Sequence, residues 1–295
     1  MSNIPSFLRK GAAMPPPPPK RSSQEAQPVV RAGSFALIAQ PAPWRFALTH
    51  DRSEDLLLMI TRGQGRVTVG GVRLGLGLNH AVFVPGGTLF SLDIPSNTQA
   101  LLATFPRFSP GDGPQESLHL AVRDSLAQAE LTGYIDSMRR ELSQGRPDHD
   151  SAVGAYIRLI GVWLRRQVEA GETVNQKTNA ARRLSRRYAQ AVARGFRSDR
   201  LVNDYASALD VTTTHLTRVC KSSCGKTAAD LLTERKLHAA RVALELPSPP
   251  IKQIAEDLGF HSSAYFTRFI KNQTGQAPSA LRRQAKPQRP APITA

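Results

Sequence analysis

Apolar positions change their period twice along the chain. Between Val29 and Phe108 they fall in short runs: Phe35–Ile38, Leu56–Ile60, Val67–Val69, Ala81–Val84 and Leu101–Phe105. Gly, Pro and Asn separate the runs, which predicts short strands joined by turns. Val67-Thr68-Val69, then Gly70-Gly71, then Val72 predicts one tight hairpin. The sum is a small antiparallel barrel or double sheet. Over residues 114–172 the period becomes helical. Leu131, Ile135, Met138 and Leu142 fall on one stripe. Ala152, Tyr156, Ile160 and Leu164 form another, with Leu159 and Trp163 beside it. Gly145 to Asp150 breaks the two helices. They either cap the open face of the barrel or form a dimer interface. A polar joint, Gly171 to Asn179, follows, and residues 180–285 read as helical almost throughout.

That last region says the same thing twice. Leu216-Thr-Arg-Val-Cys-Lys221 is echoed by Phe266-Thr-Arg-Phe-Ile-Lys271, in a register of about fifty residues. Ala206, Leu209 and Val211 are echoed by Ala255, Leu258 and Phe260, and a Gly closes each copy at Gly225 and Gly275. Each copy predicts helix, tight turn, helix. In the first, Leu201, Tyr205 and Leu209 line the opening helix. Val211 plugs the turn, and Thr212 or Thr213 caps a second helix burying Leu216, Val219 and Cys220. In the second, Ile251, Ile254, Ala255 and Leu258 face inward, Gly259 takes positive φ and Phe260 plugs the turn. Ser262 or Ser263 then starts a helix burying Phe266, Phe269 and Ile270. A long helix of about Ala228 to Leu246, with Leu231, Leu237, Ala240 and Leu244 inward, joins the units. The second turn is one residue longer, because Leu209 to Leu216 spans seven residues and Leu258 to Phe266 eight.

Charge sharpens this picture. Residues 32–179 are balanced, with fourteen Lys/Arg and fourteen Asp/Glu. Residues 180–295 hold twenty basic and eight acidic residues, a net +12. An excess on the doubled unit suits neutralisation of phosphates. The start of the chain, with Pro15 to Pro19, Lys20 and Arg21, has few apolar residues and is expected to be a disordered tail without a signal peptide. Cys220 and Cys224 form neither a disulfide framework nor a plausible zinc site, and they suit a reducing cytosol.

The linker-helix stretch Lys236-Leu-His-Ala-Ala-Arg241 leads to Ile254-Ala-Glu-Asp-Leu-Gly-Phe260. Tyr265-Phe-Thr-Arg-Phe-Ile-Lys271, Gly275-x-x-Pro278 and Leu281-Arg282 follow. With these motifs, residues 183–285 resemble the AraC/XylS family of bacterial transcription regulators. Cys220 and Ile270 stand where that family usually has Phe, Ala277 replaces a common Thr, and Leu281 a common aromatic. The barrel with its following helices is similar to the cupin-like sensor and dimerisation domain often found before this module. The fold class implied is a two-domain chain: an N-terminal all-β cupin-like barrel with following helices, then an all-α tandem helix-turn-helix domain. Its divisions are a tail (1–30), barrel (31–110), helical segment (111–172), linker (173–182), double helix-turn-helix (183–285) and second tail (286–295).

The resemblance implies DNA contact by Thr214, Thr217 and Arg218 in one groove, to which the residues left off the buried stripe add Thr213 and Lys221 as candidates. It implies contact by Ser263, Ala264, Thr267 and Arg268 in the next, and Lys271 on the same helix is a further candidate. Arg218 and Arg268 are suited to guanine O6 and N7 or to phosphate, and Thr217 and Thr267 to a thymine methyl or phosphate. The expected partners are promoter duplex, RNA polymerase, a small-molecule effector and a second copy of the chain, without membrane attachment. The expected location is the cytoplasm, on the nucleoid. No enzyme chemistry, cofactor or metal is expected. His50 and His80 are far apart in sequence and no H-x-H occurs, which argues against a metal-binding cupin. An alkyl-accepting repair protein needs an activated thiolate, and Cys220 on a buried stripe does not suit that role.

Overall fold

A computed structural model describes residues 30–174 and 179–285. The expected tails lie outside these residues, save for Val30. Eight strands form two sheets in the N-terminal region. They are β1 (Arg31–Ser34), β2 (Asp55–Arg62), β3 (Gly65–Val69), β4 (Val72–Leu76), β5 (His80–Val84), β6 (Phe90–Asp93), β7 (Gln99–Phe105) and β8 (Leu118–Ala121). The larger sheet runs β1-β7-β2-β5-β8 and the smaller β4-β3-β6, with every pairing antiparallel. The expected hairpin is β3–β4, which turns through Gly70 and Gly71 at φ 54° and 72°.

The alternation of β2 explains how it can be apolar throughout. Leu56, Leu58 and Ile60 point between the sheets, against Val67, Val69, Phe90 and Leu92. Leu57 and Met59 point the other way, onto Leu131, Ile135, Ile160 and Trp163. A strand covered on both faces reads as one continuous apolar run. The covering comes from α3 (Ser125–Gln144) and α4 (His149–Glu169), which lie on the outer face of the larger sheet. Asp124 caps α3 by accepting from Leu126 N at 3.0 Å, and Trp163 Nε1 donates to Ala127 O at 2.8 Å, tying α4 to α3.

Three expectations change here. Phe35–Ile38 is not a strand: it lies in α1 (Phe35–Ala39), where Phe35 and Ala39, four residues apart, face inward. Leu37 is left 71% exposed, and a four-residue apolar run is ambiguous by period alone. A second short helix, α2 (Trp44–Ala47), packs Phe46 on Phe35, with ring centroids 5.3 Å apart. Residues 111–172 are not helical throughout, since β8 adds an edge strand to β5. Leu142 and Leu159 sit at the rim of their helices, exposed, while Val153 takes the inward place.

The C-terminal region is helical: α5 (Ala180–Gly195), α6 (Val202–Ala208), α7 (Thr213–Cys224), α8 (Ala228–Leu244), α9 (Ile251–Asp257), α10 (Ser263–Thr274) and α11 (Pro278–Ala285). One apolar core joins them, centred on Tyr188, Tyr205, Leu216, Leu231, Leu244, Ile254 and Phe266. The repeat reaches its third helix: α8 begins at Ala228 and α11 at Pro278. Leu201 departs from its expected inward stripe. It is the N-cap residue of α6 and 68% exposed.

Candidate nucleic-acid interface

Both units form the same corner. After α6, Asp210 adopts φ 58° and Val211 N donates back to Ala206 O at 3.0 Å. After α9, Gly259 adopts φ 70° and Phe260 N donates to Ala255 O at 2.9 Å. A left-handed residue followed by such a six-to-one bond satisfies the helix's orphan carbonyls and turns the chain sharply. Thr212 then caps α7, accepting from His215 N at 3.2 Å. Ser262 caps α10, accepting from Tyr265 N at 3.1 Å. His261 is the additional residue of the longer turn. Phe260 fills the second corner, with Phe266 and Phe269 rings 5.2 and 5.1 Å away. Phe269 itself is only partly buried.

Gly259 has a second constraint beyond its φ. A Cβ there would lie 2.2 Å from the carbonyl carbon of Ser198. Gly259→Ala is therefore expected to lower stability by at least about 1–2 kcal/mol, from the left-handed penalty alone. Chemical denaturation of the purified chain measures this. A loss below about 0.5 kcal/mol would show that the corner tolerates a side chain.

With Leu216, Val219, Cys220 and Cys224 buried, α7 turns Thr214, Arg218 and Lys221 to solvent, with Thr213 and Thr217 half-buried at the edge. Thr213 Oγ1 donates to Asn203 Oδ1 at 3.2 Å, bracing α7 against α6. On α10, Phe266 and Ile270 are buried. Ala264, Thr267, Arg268 and Lys271 are exposed, with Ser263 half-buried. Each expected set thus shares one accessible helix face. Tyr265, 52% exposed beside that face, is not signalled by the sequence, because aromatic residues usually mark core. Cys220 carries a thiol pushed up by burial to about 12, the opposite of an activated nucleophile.

Contacts between residues 114 to 200 positions apart fix this module to the N-terminal sheets. Arg235 of α8 pairs with Asp51 and lies 3.6 Å over the Phe196 ring. Arg45 pairs with Glu245. Glu234 accepts from Lys226 Nζ at 2.6 Å and from Thr49 N at 2.9 Å. Ser185 Oγ of α5 donates to Gly71 O in the β3–β4 turn at 2.7 Å. Between these pairs, His50 and His238 stack at 4.1 Å, with planes 8° apart. Arg52 Nε donates to His50 Nε2 at 3.0 Å, so that nitrogen is an acceptor. The proton then sits on Nδ1, facing Leu48 O at 2.8 Å. Burial first, then the facing charges of Arg235 and Arg52, push the His238 imidazole down to about 3. Burial, helped by His238 and Arg52, also pushes His50 well down.

These rings are neutral in the joint, whereas a released His takes a proton near 6.5. The joint is therefore at full strength above about pH 6.5 and weakens as pH falls. Thermal unfolding of the full chain between pH 7.5 and 5 is expected to show falling stability. H50F/H238F, which keeps stacked rings without titration, should reduce that slope, leaving the part due to His80 and His119, which burial also pushes down. An unchanged slope would remove the histidines from the joint's pH response.

Residues 205–284 match the protein family described as "Helix-turn-helix domain". The "Msm operon regulatory protein" of Streptococcus mutans is 26% identical over 83 residues, covering 28% of this chain and 30% of that protein. Fatty-acid-bound ToxT of Vibrio cholerae is similar over 86% of this chain and 94% of its own, with 13% identity and a TM-score of 0.40. The C-terminal domain of AraT, a response regulator of Geobacillus stearothermophilus, is 26% identical over 37% of this chain and 88% of its own, with a TM-score of 0.33. Two capped helix-turn-helix corners on one core define a DNA-binding regulator domain. The helix-turn-helix domain at residues 205–284 is of the AraC type.

Proposed function

We propose that the chain is a sequence-specific, effector-responsive transcription regulator that lays α7 and α10 in successive major grooves of one duplex. The observation carrying this reading is the pair of helices with matching exposed faces, Thr217-Arg218-x-x-Lys221 and Thr267-Arg268-x-x-Lys271. Both faces are polar and basic, and each helix is held by its own corner on a shared core. Successive grooves on one side of a duplex lie roughly 34 Å apart, a span that α8 would set. Thr213, Thr214 and Ser263, Ala264 sit at the N-terminal ends, the part of a recognition helix that approaches base edges. The partners proposed with this reading are promoter duplex, a second copy of the chain, RNA polymerase and a small effector. A cleft of about 320 Å³ at the domain joint, lined by Arg66, Thr68, Arg73, Ser91 and Lys226, is the proposed route by which an effector reaches α7.

Selection of bound fragments from a random-sequence duplex pool by the full chain tests the reading. Enrichment of one asymmetric site, with two blocks a helical turn apart, is the expected result. Equal binding of all duplexes at several salt concentrations would overturn it. On the selected site, Arg268→Ala should cost about 1–3 kcal/mol and relax preference at one base pair. Uniform weakening across all sequences would assign Arg268 to a phosphate instead.

A further inference from the structure

The reading helices leave most of the C-terminal charge unused. Between them they expose Arg218, Lys221, Arg268 and Lys271, four of the twenty basic residues in 180–295. Seven others crowd into residues 182–200, where the only acid is Asp199. On α5, Arg183, Arg186, Arg187 and Arg194 are exposed, and Arg197 follows just beyond its end. The buried residues Ser185, Tyr188, Ala189 and Val192 face the opposite way. Arg183, Arg187 and Arg194 are spaced by four and seven, which at 100° per residue places them in one row. That row is about 16 Å long at 1.5 Å per residue.

An ordinary solvated helix face mixes signs and gains from i,i+4 pairs of opposite charge. Here the i,i+4 pair is Arg183 and Arg187, which repel. Arg183 also sits in the first turn of the helix, where the macrodipole disfavours positive charge. The row is thus locally unfavourable in the free protein, and an anion laid along it would remove both penalties. The row is also firmly held. Tyr188 Oη donates to Ala228 O at 2.7 Å, and Ser185 Oγ binds the β3–β4 turn at 2.7 Å. α5 packs against α7, sharing the core with Leu216 and Cys220.

We propose that the α5 arginine row is a further DNA-binding surface, contacting backbone phosphates outside the two grooves. This rests on the proposed function. One strand of a duplex carries a phosphate per about 3.4 Å of axis, so a 16 Å row spans about five phosphates of the strand it faces. Its contacts add affinity and fix register without reading bases.

The test is the salt dependence of the full chain on a mixed-sequence duplex of about 40 base pairs, long enough for both grooves and their flank. For R183Q/R187Q/R194Q, the slope of log K against log salt is expected to fall by about 2–3, at about 0.9 for each phosphate no longer neutralised. The charge-preserving R183K/R187K/R194K should keep the wild-type slope. A charge-matched control, R140Q/K252Q/R283Q, should change it by less than about 1. All nine substitutions are at exposed positions, and unchanged thermal unfolding verifies folding. A wild-type slope in the glutamine variant overturns the proposal while leaving the reading helices standing. An equal drop in the control also overturns it, because the effect is then net charge. Wild-type chain that binds no duplex at any salt overturns both.

Discussion

Arg235→Ala is expected to separate the DNA-binding module from the N-terminal sheets. Arg235 is 6% exposed, pairs with Asp51 and covers the Phe196 ring. Burial pulls its guanidinium below the usual range, and Asp51 pulls it back up. Removing it strands the Asp51 carboxylate. Breaking one partner of a buried pair costs about 3–5 kcal/mol, and the Asp51 side chain, 20% exposed, puts this case near 3. The loss falls on the joint rather than on either core. Differential scanning calorimetry should therefore resolve two transitions in the variant where the parent shows one. D51N/R235M, which removes both charges together, should recover most of the loss. A single transition at the parental temperature in Arg235→Ala would mean the joint does not depend on this pair.

Phe266→Ala is expected to cost about 3–5 kcal/mol, the range for emptying a buried aromatic site. Phe266 is fully buried, edge-on to Phe260, and anchors α10 against α9. The space it leaves is not readily refilled. Phe260 also closes the corner, and Gly259 beneath it is pinned against Ser198. Hydrogen exchange should localise the loss to α9, α10 and α11, with α6 and α7 protected. DNA binding should fall back to what the first reader and nonspecific charge provide. Uniform loss of protection through all the helices would show that the two units unfold as one.

The helical repeat was legible because its elements are local. Capping Thr and Ser, the glycines after each helix, and the stripes Leu216-Val219-Cys220 and Phe266-Phe269-Ile270 lie within a few residues of the contacts they make. The candidate faces followed by subtraction, since what a helix does not bury it presents. Phe35–Ile38 failed because an apolar run of four carries no period. β8 failed because an edge strand of four residues, Leu118-His-Leu-Ala121, has almost no pattern to read. Leu201 failed because an N-cap lies outside the helical wheel on which it was placed. The joint was invisible for a different reason. Asp51 and Arg235 are 184 positions apart, and nothing near either residue signals the other. In the sequence, His50 is only a lone candidate ligand and His238 only part of a helix motif, whereas their stacked packing needs both domains in place.

The two corners differ in length by His261 alone, and the offset between the units shows where that difference ends. It is 49 from Ala206/Ala255 to Val211/Phe260, and 50 from Thr212/Ser262 through Arg218/Arg268 to Gly225/Gly275. Counted from its own N-cap, each reading helix carries its face in the same place. Chimeras can therefore be drawn by cap position. If α7 and α10 read bases as proposed, setting the residues of α10 at 263, 264, 267 and 268 into 213, 214, 217 and 218 is expected to make the two halves prefer the same bases. On that reading its preferred site would become a direct repeat, which still fixes the chain's direction on the duplex, because a direct repeat differs from its own reverse complement.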